Sequence, residues 1–263
     1  MARKFPVEGR YDVRAGAAGY APIVGAFGGL SVTAIVVVFT VPSTTSHPGT
    51  YLVLATGLLI IAMFGSLLGA LGMAAIGAEQ APTANLGAAV MYIAVPVAIS
   101  VASTLGAFEV LAALYQPSSA ALFAIIVAAG GLFGVIFTAF ALADSTSLGP
   151  TDPELHKEWI KTQWLKSSRQ AYRYTVCIAV AGCAPVLLAV VLRLAGVGFN
   201  PTRATANWVI GVGIFLTLAG TLTSLARTAH SDDGNQRGIR PFEAAATTLA
   251  IGGYVLLMML FLP

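Results

Sequence analysis

Apolar residues run along the chain in long blocks, and polar residues gather in the breaks between them. An α-helix needs about 20 apolar residues to cross a hydrocarbon core of roughly 30 Å. About seven blocks reach that length: Ala21–Val41, Tyr51–Ala78, Leu86–Leu114, Ala120–Ala143, Tyr174–Leu194, Ala206–Ala226 and Ala244–Leu262. Helices are the element these blocks predict, because a helix saturates its backbone hydrogen bonds within one segment. The second and third blocks are long enough to tilt or to project past the membrane. Between them, Glu79-Gln80-Ala81-Pro82-Thr83-Ala84-Asn85 reads as a tight hairpin.

Composition agrees with lipid as the solvent. Of 263 residues, 57% are hydrophobic and 10% charged, with a mean hydropathy of +0.83. A soluble domain carries about a quarter charged residues. The chain opens Met1-Ala2-Arg3-Lys4-Phe5, which resembles a secretory n-region, but the first apolar block begins late and is long. A retained membrane helix is expected there.

Positive charge orients the helices. Cytoplasmic loops are enriched in Lys and Arg. With the N-terminus inside, twelve of the 14 Lys and Arg fall on the inner side, among them Arg3, Lys4, Arg10, Arg14, Arg173, Arg227, Arg237 and Arg240. Only Arg193 and Arg203 fall outside. A count of six or eight spans breaks this segregation. The expected fold is therefore all-α: a polytopic transmembrane helix bundle with about seven spans, N-terminus cytoplasmic and C-terminus outside. It divides into a cytoplasmic tail (1–20), a four-helix transmembrane half (21–143), a cytoplasmic connector (144–173) and a three-helix transmembrane half (174–263). Usage rich in Ala, Gly and Val and poor in Lys resembles that of high-GC bacteria, so a bacterial plasma (inner) membrane is the expected location.

The connector carries the most pattern. Thr151-Asp152-Pro153-Glu154 fits a helix start, with Thr151 and Glu154 at capping-box spacing. Leu155, Trp159, Ile160, Trp164 and Ala171 then fall on one side of a helical wheel; Lys157, Lys161 and Arg169 fall on the other, with Lys166 at the boundary. A basic amphipathic helix with tryptophans suits the headgroup region, where anionic lipid attracts each cation by roughly 1 kcal/mol. It serves either as an anchor of the bundle or as a docking surface for a cytoplasmic protein partner.

Several features bear on chemistry. Glu109 and Arg193 are charges inside apolar blocks, about 35 Å and 29 Å from the inner boundary at 1.5 Å per residue. Both thus sit near the outer surface, on helices that carry Pro96 and Pro185 near their centres. Proline removes a backbone donor and kinks a helix. Glu109 and Arg193 either pair, snorkel to the interface, or line an outward-facing gate between two kinked helices. Gly65, Gly69 and Gly72, and Gly130 and Gly134, form small faces suited to close helix packing. Packing within the chain is the first use of such a face, and a homo-oligomer is the other. Thr217, Thr221 and Ser224 are expected to bond back to their own helix.

The basic residues sit at the ends of apolar runs rather than in one patch, which argues against nucleic acid as a partner. His47, His156 and His230 lie far apart, and Cys177 and Cys183 point in different directions on a helix, so no metal site is expected. Asp232, Asp233 and Asn235 do not match a calcium loop. No cofactor is expected. A non-catalytic subunit or anchor that binds protein partners on the cytoplasmic side ranks first. A transporter or channel for a small solute, with a vestibule between the third and fifth helices, ranks second. A membrane enzyme is a distant third, since no acid, base, nucleophile or metal set shares a pocket. The topology makes a direct prediction. A cysteine introduced near residue 200 should react with an impermeant thiol reagent outside the cell, and one near residue 160 should not; the reverse pattern would overturn the orientation.

Overall fold

A computed structural model of the chain describes residues 13–40, 49–79, 84–115, 120–146, 164–230 and 240–262. Among them are seven helices and no strand: α1 (Val13–Thr40), α2 (Gly49–Gly77), α3 (Ala84–Tyr115), α4 (Ala120–Thr146), α5 (Trp164–Leu194), α6 (Arg203–Ala229) and α7 (Pro241–Phe261). Five of these, α1, α2, α3, α6 and α7, are long and apolar enough to cross a membrane. Shorter apolar stretches occupy Leu122–Ile136 of α4 and Ala179–Leu194 of α5.

Each apolar block becomes one helix, but two begin earlier than hydropathy alone suggests. α1 starts at Val13, where Arg14 donates from Nη1 to the backbone carbonyl of Glu79 at 3.2 Å. A cation thereby caps the carboxyl end of α2, where carbonyls lack intrahelical partners. α5 starts at Trp164, so the last ten residues of the predicted connector belong to the same continuous helix as the fifth apolar block. Trp164, Lys166 and Arg169 therefore lie on α5, whereas Lys157, Trp159 and Lys161 fall outside the described residues, as do the centre of the predicted 79–85 hairpin and the 231–239 loop.

The helix ends are closed by local chemistry. α6 opens with a capping box: the Thr205 amide donates to Thr202 Oγ1 at 3.2 Å, and the Thr202 amide donates to Thr205 Oγ1 at 2.8 Å. α7 opens with Glu243, whose Oε2 accepts from the Arg240 amide at 3.1 Å. α5 closes on Gly196, at φ +75°, with the Gly196 amide on Arg193 O and the Val197 amide on Leu192 O. That pair of bonds is the Schellman arrangement, and the left-handed position is one that glycine occupies without penalty.

α3 is the axis of the bundle. It packs against α1, α2, α4, α6 and α7, and it is the most enclosed of the long apolar helices. α3 and α5 do not pack side by side; α4 and α7 stand between them. Large apolar side chains face outward instead. On α2 the exposed set is Val53, Ile60, Phe64, Leu67 and Leu71, one helical stripe; on α6 it is Trp208, Ile214, Phe215, Leu218, Leu222 and Leu225. A soluble protein does not expose stripes of this size and number. Meanwhile Ser66, Ser100, Ser103, Thr104, Thr221 and Ser224 are buried. The distribution is that of a chain solvated by lipid.

The predicted glycine faces are consumed inside the chain. A methyl group added at Gly65 would stand 2.7 Å from the backbone oxygen of Pro96. Gly69 abuts Val97, and Gly72 abuts Ile93, so this face of α2 lies on α3. Gly130 meets Leu105, and Gly134 meets Ala98, so α4 uses its glycines on α3 as well. All five meet a neighbouring helix of the same chain. Gly65→Ala should therefore destabilise the folded protein by about 1–3 kcal/mol, the cost of overpacking against a neighbour that cannot rotate away. Gly29→Ala, which meets nothing within 4 Å, should leave stability unchanged or slightly raised. Thermal unfolding of both variants in detergent micelles checks the contrast.

Candidate functional site

The two charges within the apolar segments come together at one end of the bundle. Arg193 Nη2 stands 2.7 Å from Glu109 Oε1. Glu109 is 1% exposed and Arg193 21% exposed. Arg193 also donates from Nη1 to the backbone carbonyl of Leu262, beyond the last turn of α7. Since α7 lies between α3 and α5, the arginine reaches across the end of α7 to find its carboxylate. One side chain thus joins three helices, and it satisfies a carbonyl that the helix itself leaves bare.

Glu109 and Arg193 are paired with the carboxylate buried, and α4 and α7 each pack against both α3 and α5. Glu109 Oε2 has no hydrogen-bond partner among the described residues.

The opposite end carries a second pair. Arg227 Nη2 lies 3.0 Å from Glu243 Oε1, with both side chains partly exposed. The pair links the carboxyl end of α6 to the first turn of α7, where a negative charge also suits the helix dipole.

Both prolines sit where a partner helix comes close. Pro96 on α3 leaves the carbonyl of Tyr92 without its usual donor, and Gly220 of α6 packs on that carbonyl and on the proline ring. Pro185 on α5 lies against Gly252 of α7, which also abuts the carbonyl of Gly182. Gly220 and Gly252 supply the bare backbone on which the two proline segments close. Their signal in the sequence was only their presence within apolar blocks.

A set of buried hydroxyls near mid-helix went unread in the sequence. Ser66 and Ser100 share a hydrogen bond of 2.6 Å, and Ser100 donates to the carbonyl of Ala62 at 2.6 Å. Ser103 and the Tyr254 hydroxyl are 2.7 Å apart. These bonds join α2 to α3 and α3 to α7. The expectation that span hydroxyls bond within their own helix holds for Thr221, which donates to Thr217 O at 2.8 Å. It fails for Ser224, which donates instead to Ala89 O of α3 at 2.8 Å. Thr217 Oγ1 has no partner among the described residues. A serine near a facing helix can reach a carbonyl there, and hydropathy does not register which helix it faces.

Comparison of the chain with protein-family models, with curated proteins and with solved structures gives no match. The reading of the site therefore rests on its geometry.

That geometry predicts an asymmetric mutational response. Arg193→Ala strands a buried carboxylate and should cost about 3–5 kcal/mol, the penalty for breaking a buried pair from one side. Glu109→Gln keeps an acceptor for Arg193 and should cost markedly less. Glu109→Leu combined with Arg193→Leu should recover much of the loss. Stabilities of the single and double variants, measured by unfolding in a bilayer mimetic, form the cycle that checks this.

Proposed function

We propose that the chain is a multi-pass membrane anchor or subunit, non-catalytic, that holds protein partners on the cytoplasmic side of a bacterial plasma membrane. In this reading all seven helices cross the bilayer, with the N-terminus inside. The Arg14, Arg227 and Arg240 end is cytoplasmic, and the Glu109–Arg193 end faces outward. The positive-inside distribution supports this orientation.

The observation that carries the functional reading is the fate of the two charges within the spans. A charge in a membrane helix is a functional candidate by default. Here the carboxylate is held by the guanidinium, which also donates to a helix-end carbonyl. They act as fasteners near the outer surface, which suits a scaffold. The alternative, transport of a small solute through a vestibule between α3 and α5, meets a carboxylate only 1% exposed and two helices kept apart by α4 and α7.

Polar surface for a partner lies at the inner end. The basic sequence of Lys157, Lys161, Lys166 and Arg169, interleaved with Trp159 and Trp164, combines charge with apolar area for an acidic protein surface and for anionic headgroups. Deleting Lys157–Arg169 should release a cytoplasmic protein that co-purifies with the intact chain in mild detergent, while the helices remain membrane-inserted. Retention of that protein would reject the docking role. Glu109→Gln should leave the activity of the assembled complex nearly intact; loss of solute flux with normal folding would favour transport instead.

A further inference from the structure

The connection between α5 and α6 is short, apolar and fixed. Val197 and Phe199 lie in a segment without charge between Arg193 and Arg203. The Schellman bonds at Gly196 and Val197 set its start. The Phe199 amide donates to Leu260 O at 2.9 Å, and the Phe199 ring packs on Phe261 with centroids 5.9 Å apart. The loop is tied to α7, yet its apolar side chains are turned out. Leu194 is 83% exposed and Phe199 55% exposed.

We propose that Leu194, Val197 and Phe199 form a lipid-seated anchor, lodged at the boundary between headgroups and acyl chains of the leaflet at this end of the bundle. The inference rests on the reading that the helices cross the bilayer. Three observations lead to the lipid leaflet as occupant. The loop leads into α6, whose outward stripe begins with Trp208, 72% exposed, in the helix's second turn. Polarity changes sharply at Asn200: exposed Asn200, Thr202 and Arg203 follow the apolar edge and supply the groups that meet headgroups and water. Finally, the amides of Gly196, Val197 and Phe199 already have protein acceptors, so these parts of the backbone enter an interface without bare donors. Loops that face water carry polar side chains, and one that spends its backbone bonds to hold apolar side chains outward is built for a less polar medium.

A tryptophan reporter tests the proposal. The chain carries Phe199→Trp with Trp159→Phe, Trp164→Phe and Trp208→Phe, in phosphatidylcholine vesicles brominated either near the carbonyl or near the acyl terminus. The expected result is blue-shifted emission, quenched several-fold more by shallow than by deep bromine and little affected by soluble iodide. Strong iodide quenching would show a water-facing loop and overturn the proposal. Quenching by neither agent would show a protein covering and overturn it equally. Should Phe199→Trp fold poorly, Val197→Trp with Phe199 retained reads the same edge. A companion chain that keeps only Trp208 separates the two levels of inference. If Trp208 is quenched by brominated lipid and the loop reporter is not, the anchor alone fails; if neither is quenched, the crossing of α6 fails as well.

Discussion

Polar groups buried among apolar helices must find their partners within the protein, because no water is there to take them. This constraint orders the bundle around α3. Along that helix Ala89 O accepts from Ser224, Ser100 bonds Ser66, Ser103 bonds Tyr254, and Glu109 bonds Arg193. The bonds reach α6, α2, α7 and α5 in turn. α3 is central because it carries the groups that lipid would reject, and the helices around it turn their large apolar side chains outward.

Close approach follows from the same constraint. A serine hydroxyl is short, so helices joined by it must nearly touch. Gly65 beside Pro96 and Ser100, Gly134 beside Ala98, and Gly220 beside Tyr92 O create that proximity. Without a hydrophobic force between helices in lipid, dispersion at such contacts and the hydrogen bonds they permit supply the attraction. The prolines fit into this scheme. At Pro96 the freed carbonyl is met by the bare backbone of Gly220, so a defect in one helix becomes a seat for another.

The helical class was legible because length and hydropathy speak directly to the bilayer. The glycine stripes were legible because they recur at helical spacing on one segment. Other features were hidden for physical reasons. The start of α1 at Val13 depends on Arg14 reaching a carbonyl 65 residues away, which no local window contains. The partner of Ser224 depends on which helix lies opposite. The proximity of Glu109 and Arg193 was one of several sequence readings, yet the involvement of Leu262 was invisible, because a backbone carbonyl leaves no mark in a sequence. That α7 packs against both α3 and α5 is a matter of packing order, which no local window records.

The tie at Arg193 also imposes a timetable on biogenesis. Glu109 emerges 84 residues before its arginine. At roughly 5–20 residues per second, the carboxylate waits about 4–17 s for a counter-ion. It lies six residues, about 9 Å, from the end of α3, near enough to that end to keep some water while it waits. Leu262 emerges 69 residues after Arg193, so the carbonyl that steadies the guanidinium follows both charges. The clasp is thus supplied in the order carboxylate, guanidinium, carbonyl, and a product cut short between Arg193 and Leu262 lacks its third member.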